Sequence, residues 1–182
     1  MKNTLAVVQA LAMQTDHSYS VEEYRHTFVG RLSALARVHS LLLDAEWRGA
    51  DLGQLVEQAL EAYRSDHPDK IEIEGERVPL STTQSLGLSL ILHELGTNAA
   101  KYGALSHGEG RVRVSWQADE RKKGRRLRLR WVERDGPEVG ELGKKGFGTR
   151  LIERACTYEL EGEVELDYPS KGFRCEVVFP LA

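Results

Sequence analysis

An α+β fold is predicted, an N-terminal antiparallel helical hairpin followed by a sandwich of helices on a sheet, and three features of the sequence predict it. Two amphipathic helical patterns open the chain with a short polar break between them. Past residue 50 the order runs helix, strand, helix, strand pair, loop, helix, strand pair, so locally paired strands share helices on one face, unlike the alternation of a doubly wound sheet. The 182 residues suffice for one good-sized core, or a small core with a helical appendage, and show no solenoid period.

The first helix is predicted over residues 2 to 15, with Leu5, Val8, Leu11 and Ala12 on one side. After DHSYS a second runs from about Val21 to Leu43, where Phe28, Leu32, Leu35, His39 and Leu42 recur at intervals of three and four. Two such helices cannot close a core alone, so the hairpin is expected either to dimerise into a four-helix bundle or to lie against the rest of the chain. EWRGAD breaks the pattern, and Asp51 with Gln54 resembles a capping box opening a third helix through Leu55, Val56, Ala59 and Tyr63. Ile71 and Ile73 alternate with glutamates as a short strand. Ser81 and Gln84 repeat the capping signature before a long helix ending at Gly103.

Val112, Val114 and Trp116 alternate as one strand and Leu127, Leu129 and Trp131 as another, joined by the charged turn DERKKGRR. A glycine-rich connection from Gly136 to Gly146 precedes a helix through Leu151, Ile152 and Ala155. Two final strands, near Val164 to Leu166 and Phe173 to Phe179, turn at PSKG.

Apolar residues make up 41% of the chain and charged residues 29%, the balance of a globular protein rather than a disordered or membrane-embedded one. A net charge of -3 gives no general reason to bind nucleic acid or an anionic membrane surface, so any anion site must be local. The longest apolar runs, such as Leu86 to Leu92, fall far short of a membrane span and no signal peptide is evident, from which a cytoplasmic protein is expected. Cys156 and Cys175 have no companion spacing for zinc or a redox pair and read as two buried thiols. The RKKGRR cluster lacks interleaved aromatics and reads as a solvated hairpin.

Two motifs look like halves of a nucleotide site. In 93-HELGTNAAKYG-103, Glu94, Asn98 and Lys101 place a carboxylate, an amide and an ammonium group on successive turns of one helix face, as a magnesium-phosphate face would require. Asparagine is a mediocre helix former, so its mid-helix place at Asn98 suggests a ligand role, although a polar face meeting water is the plain alternative. In 146-GFGTRLIE-153, Gly146 and Gly148 open a helix whose bare amides and dipole suit a phosphate, and Thr149 and Arg150 fall in its first turn. No P-loop pattern exists.

HELGTNAAKYGALS resembles the N-box of histidine kinases in the form found in the HWE subfamily, named for a histidine in that box and a tryptophan and glutamate downstream. His93, Trp131 and Glu133 match the three. The similarity extends to RLSALARVHSLL, to WRGADL, to WVERDGP and to GFGTRLIE, covering nearly the whole chain. It implies a dimerisation and phosphotransfer hairpin over residues 1–46, which would pair into a homodimer, and an ATP-binding catalytic domain of the Bergerat type over residues 47–182. ATP and Mg2+ are the implied cofactors and a response-regulator receiver domain the implied partner.

The resemblance also distributes roles. Asn98 would hold the metal, with Glu94 as the catalytic carboxylate; Lys101, Tyr102, Gly136, Gly146, Phe147, Gly148, Thr149 and Arg150 would line the nucleotide. Glu133 would accept from the adenine amino group, with Asp135 second. This chain departs from the pattern at Asp135, where the subfamily usually has glycine, leaving the backbone less free there. Residues Glu138 to Lys145 would be a short ATP lid, with Lys144 and Lys145 as phosphate partners or solvated charges. His93 is expected to play a structural role.

Histidine kinases of this subfamily carry the phosphoacceptor in a pattern like His-Arg-Val-Lys-Asn. This chain opens Met-Lys-Asn, so the acceptor would lie two residues before Met1, as expected of a shortened chain or a late-assigned start rather than a natural chain lacking the acceptor. The implied chemistry is in-line attack by an imidazole nitrogen on the γ-phosphorus, then transfer to an aspartate of the response regulator. Two alternatives carry different predictions: a response-regulator docking module with a vestigial nucleotide domain, and a Bergerat-fold ATPase or serine kinase.

Overall fold

The computed structural model describes residues 4–14, 20–44, 46, 48–66, 68–106, 108–121, 124–137, 147–169 and 172–181. Helices α1 (Thr4–Gln14) and α2 (Val21–Asp44) form the opening hairpin. Ser20 and Glu23 close a capping box at the start of α2: the Ser20 hydroxyl accepts from Glu23 N at 3.2 Å and the Glu23 carboxylate accepts from Ser20 N at 2.9 Å. Tyr24 Oη donates to the Ala12 carbonyl at 3.1 Å and ties the two helices together.

The remaining elements are β1 (Ala50–Asp51), α3 (Leu52–Asp66), β2 (Ile71–Gly75), β3 (Pro79–Leu80), α4 (Thr82–Lys101), a 3-10 turn at Ala104–Ser106, β4 (Arg111–Arg121), β5 (Gly124–Arg134), α5 (Phe147–Tyr158), β6 (Glu163–Asp167) and β7 (Arg174–Pro180). The fold is α+β, as its element order predicted. The five-stranded sheet runs β2-β4-β5-β7-β6, with β2 parallel to β4 and the other neighbours antiparallel. Alternation sets its two faces. Val112, Val114, Leu127, Leu129, Trp131, Val177 and Phe179 turn inward onto Leu88, Ile91, Leu92 and Leu95 of α4 in one continuous core. On the other face Arg128 and Arg130 grip Glu176, and Arg113 pairs with Glu74, so these arginines meet carboxylates.

Both anticipated caps of the sandwich form, but differently. At α4 the Ser81 hydroxyl accepts from Gln84 N and Gln84 Oε1 accepts from Ser81 N, a complete capping box. At α3 Asp51 Oδ1 accepts from Gly53 N at 3.0 Å and Gln54 N at 3.3 Å. Asp51 also belongs to a two-residue antiparallel ladder with Pro79–Leu80, a long-range pairing too short to leave an alternation in the sequence.

The hairpin lies against the sandwich, the second of the two arrangements anticipated. Leu11 of α1 and Leu35 of α2 bury themselves with Leu90 of α4 and Leu151 of α5, flanked by Val7, Val8, Phe28 and Leu86. The Ser89 hydroxyl adds a hydrogen bond to the Ala34 carbonyl at 3.3 Å. The hairpin thus spans the seam between α4 and α5. Among the described residues no helix is long and apolar enough to cross a membrane.

Candidate nucleotide site

Helix α4 carries the site along its length. Its interior half is nearly all apolar and buried, which fixes its rotation and turns Glu94 and Asn98 toward α5. Gly148, in the first turn of α5, comes so close that a Cβ there would stand 2.8 Å from Glu94 Oε2 and 3.7 to 3.8 Å from the Asn98 amide atoms. The two motifs, some fifty positions apart in the chain, therefore meet at one place, and a side chain at Gly148 would fill it.

Glu94 is 5% exposed, yet its charge is compensated. Arg31 of α2, 2% exposed, forms a two-pronged pair with it, Nε to Oε1 at 2.8 Å and Nη2 to Oε2 at 3.0 Å. Sequence reasoning missed Arg31, although a signal existed: it stands three residues after Phe28 and four before Leu35, on the stripe that faces the core. A charge on a buried stripe demands a partner.

His93 turns to the other side of the hairpin junction. A Cβ on Gly30 of α2 would lie 3.3 Å from His93 Nε2, and a small cleft around the imidazole is lined by Ala34 and Arg37 of α2 and by Leu55 and Ala59 of α3. Burial pushes its pKa below the ordinary value; the Glu94 carboxylate pulls it up, and the Arg37, Arg31 and Lys101 cations push it down.

Further along, α4 ends by turning its backbone back on itself, with Tyr102 N and Gly103 N both donating to the Asn98 carbonyl at 2.9 and 3.0 Å. Glu133 of β5 fastens the segment that follows. Its Oε2 accepts from Ala104 N at 2.8 Å and its Oε1 from Trp131 Nε1 at 3.0 Å, beneath Gly103, where a Cβ would lie 2.1 Å from Oε2. Trp131 is fully buried. Burial raises the Glu133 pKa above the usual carboxylate range, and the two hydrogen bonds pull against that rise.

Asp135 follows in the left-handed region, φ 55°, exposed, where the subfamily pattern has glycine. Aspartate tolerates this backbone better than most residues, which is how the departure is accommodated. Gly136 packs with no room for a Cβ, which would sit 2.9 Å from Ala104 Cα. Lys101 and Tyr102 are exposed at the end of α4, while Thr149 is half-buried and Arg150 exposed in the first turn of α5, which Phe147 opens. Gly146 and the Glu138 to Lys145 loop lie outside the described residues.

Trp131, Glu133, Asp135 and Gly136 are thus gathered at the C-terminal end of α4, and Glu94, Asn98 and Gly148 one to two turns earlier. No group of three or more His, Cys, Asp or Glu that could hold a metal occurs among the described residues, so a cation here would draw on Asn98 and on phosphate oxygens. An open groove of about 860 Å³ lies elsewhere, between α2 and α3, lined by Leu41, Asp44, Glu57, Glu61 and Arg64. It contains none of these residues.

Comparison with known proteins bears on the same motifs. Residues 1–77 match the family model described as HWE histidine kinase. Blue-light-activated histidine kinases of Brucella ovis and Brucella anthropi are 35% and 36% identical over 181 residues, 99% of this chain and 37% of each relative. The chain is similar to the HWE histidine kinases. It spans little more than a third of the length of these relatives. Among solved structures, the chain is similar to the histidine kinase domain from the Erythrobacter litoralis EL346 blue-light activated histidine kinase, with TM-score 0.72 and 18% identity, covering all of this chain and 89% of that one. The catalytic domain of the histidine kinase ThkA matches with TM-score 0.53 and 15% identity over 71% of this chain and 93% of that one. At those identities the likeness is one of fold.

Proposed function

We propose that the chain binds Mg-ATP between α4 and α5 and serves as a histidine kinase core, passing the γ-phosphoryl group to a histidine and from there to an aspartate of a response-regulator receiver domain. The observation that carries this reading is the meeting of Gly148 with Glu94 and Asn98. A bare-backbone helix start beside a carboxamide has the chemistry that a metal-bound triphosphate needs, amides for the phosphate oxygens and an amide oxygen for the metal. Mg2+, bound by Asn98 and phosphate oxygens, would neutralise charge on the transferring group.

In this reading the residues divide the work along α4. Gly148 lets the first turn of α5 approach the phosphates, with Thr149 and Arg150 beside it and Gly146 and Phe147 leading in. Lys101 and Tyr102 border the ribose and phosphate path. Glu133 and Asp135, with Gly136, form the adenine end; Glu133 keeps the lone pairs that its bonds to Ala104 N and Trp131 leave over. As the N–P bond to the imidazole forms, the bond from the γ-phosphorus to its bridging oxygen breaks and ADP leaves with the electron pair. Glu94, once parted from Arg31, takes the proton that the phosphorylated imidazole sheds.

Residues 1–46 would be the dimerisation and phosphotransfer hairpin and 47–182 the catalytic domain of a cytoplasmic homodimer. The test is incubation with γ-labelled ATP of a chain extended upstream of Met1 to include the family's acceptor position. Acid-labile, base-stable label is expected. An extended chain that binds Mg-ATP yet acquires no such label would sink the proposal, and acid-stable label or free phosphate release would point to a serine kinase or an ATPase.

A further inference from the structure

The proposed function leaves one group beside the site without a role. Arg31 is the buried charged residue among the described residues of the hairpin, and its guanidinium holds both oxygens of Glu94. Glu94 in turn touches the position where α5 begins, since a Cβ on Gly148 would stand 2.8 Å from Oε2. Arginine, carboxylate and glycine thus join α2, α4 and α5 at one point. Around that point the leucines of all four neighbouring helices, Leu11, Leu35, Leu90 and Leu151, already supply the apolar contact that seats the hairpin.

An ion pair is not needed to hold such a joint. Two charges taken out of water regain about what their desolvation costs, and apolar residues of the same volume hold helices together equally well or better. What the pair does supply is orientation and neutrality at a carboxylate that faces a phosphate-binding helix start. An unpaired carboxylate there would repel a triphosphate and would be free to swing into the space that the first-turn amides need. A planar fork pins both oxygens where an ammonium group would pin one.

We infer that Arg31 is a positioning residue for the nucleotide site: from the hairpin it orients and neutralises Glu94 against the first turn of α5, so that nucleotide affinity depends on the hairpin being seated. The inference rests on the nucleotide reading above and extends it across the hairpin junction. Seating the hairpin and ordering the phosphate end become one event, because the same guanidinium takes part in both. Nothing in the hairpin need touch the nucleotide for this coupling to operate.

The test is Mg-ATP affinity by titration calorimetry on the full chain, with melting temperature of the nucleotide-free protein measured beside it. Arg31→Met should bind Mg-ATP about tenfold more weakly than wild type at a temperature where both are folded, as loss of one member of a close charge pair implies. The double variant Arg31→Met with Glu94→Gln, which removes the unpaired charge, should return to within about threefold of wild type. Arg31→Lys, which keeps the cation without the fork, should fall between them and carries the comparison if Arg31→Met does not fold. A purely structural Arg31 would shift the melting temperature and leave affinity alone. Wild-type affinity in Arg31→Met or in Arg31→Lys, or a double variant as weak as Arg31→Met, would overturn the inference and leave the nucleotide reading standing. A wild-type chain that binds no Mg-ATP would instead remove the nucleotide reading, and this inference with it.

Discussion

Gly148 has no room for a side chain because Glu94 is already there: a Cβ on its backbone would stand 2.8 Å from Oε2. A carboxylate at the end of a flexible side chain could normally step aside, but Arg31 holds both of its oxygens. Gly148→Ala should therefore lower the unfolding free energy by about 1–3 kcal/mol, the usual cost of overpacking. Urea unfolding with an unchanged midpoint would show that the pair is looser than the geometry indicates.

Asn98 should matter for binding rather than folding. Its side chain is half-buried beside Gly148, and its backbone carbonyl, which the substitution leaves in place, is what receives Tyr102 N and Gly103 N. Asn98→Ala should remove most magnesium-dependent affinity for ATP, about 1.5–3 kcal/mol for a charge-assisted contact. Calorimetric titrations with and without magnesium check it; equal losses in both would put the metal elsewhere.

His93 gives the hairpin junction a pH dependence of predictable sign. Burial depresses its pKa below 6.5, with Arg37, Arg31 and Lys101 acting in the same direction and Glu94 opposing them. The stability that neutral His93 contributes is complete above the unfolded value and lost as pH falls through the depressed folded value. Measured against His93→Gln from about pH 7.5 to about pH 5, wild type should lose stability relative to the variant. Parallel curves would mean that the imidazole titrates as if solvated.

Glu133 should behave in the opposite sense. Burial raises its pKa above 4.5, so its contribution is present in full below the unfolded value and is lost as pH rises through the raised folded value. Glu133→Gln cannot titrate, and one of its two terminal atoms must face a donor, Ala104 N or Trp131 Nε1, with a donor of its own. The variant should lose about 1–3 kcal/mol, with the deficit widening as pH falls from neutrality toward about 4. Denaturant titrations across that range decide the matter.

The two thiols should be silent in the folded chain. Burial pushes Cys156 up to about 11 and Cys175 up to about 12, and both side chains are almost fully enclosed between α5 and the sheet. A thiolate is the reactive form, so a disulfide reagent at neutral pH should label neither until denaturant opens the core. Prompt labelling without denaturant would reveal local opening of β7 or α5.

Much of this was legible in the sequence, for identifiable reasons. Ser81 with Gln84 marks the start of α4 because both bonds of a capping box are made within four residues. The alternating apolar residues of β4 and β5 mark a hairpin because one face must be buried. Local chemistry of this kind survives in a string of letters. Arg31 did not, since a partner 63 positions away is a fact of packing alone. Nor did the backbone bond from Ala104 to Glu133, or the Ala50–Asp51 ladder, each of which depends on which distant segment happens to lie opposite. Ser20 and Glu23 are a different case: SVEE is a capping signature in plain sight beside a run already read as a break.

Gln84 has a second bond whose meaning is topological. While its carbonyl oxygen closes the cap on Ser81, its amide donates to the Pro180 carbonyl of the last strand at 2.8 Å. Close by, Gly49 at the entry to the sandwich packs against the Leu80 carbonyl so tightly that a Cβ would lie 1.8 Å from it. The first and last residues of the sandwich are therefore neighbours, meeting at the foot of α4. Joined by a short glycine linker and reopened between β4 and β5 beside the exposed Gly124, the same sheet and helices could be threaded from a new beginning, and the circularly permuted chain should still bring Glu94 to Gly148.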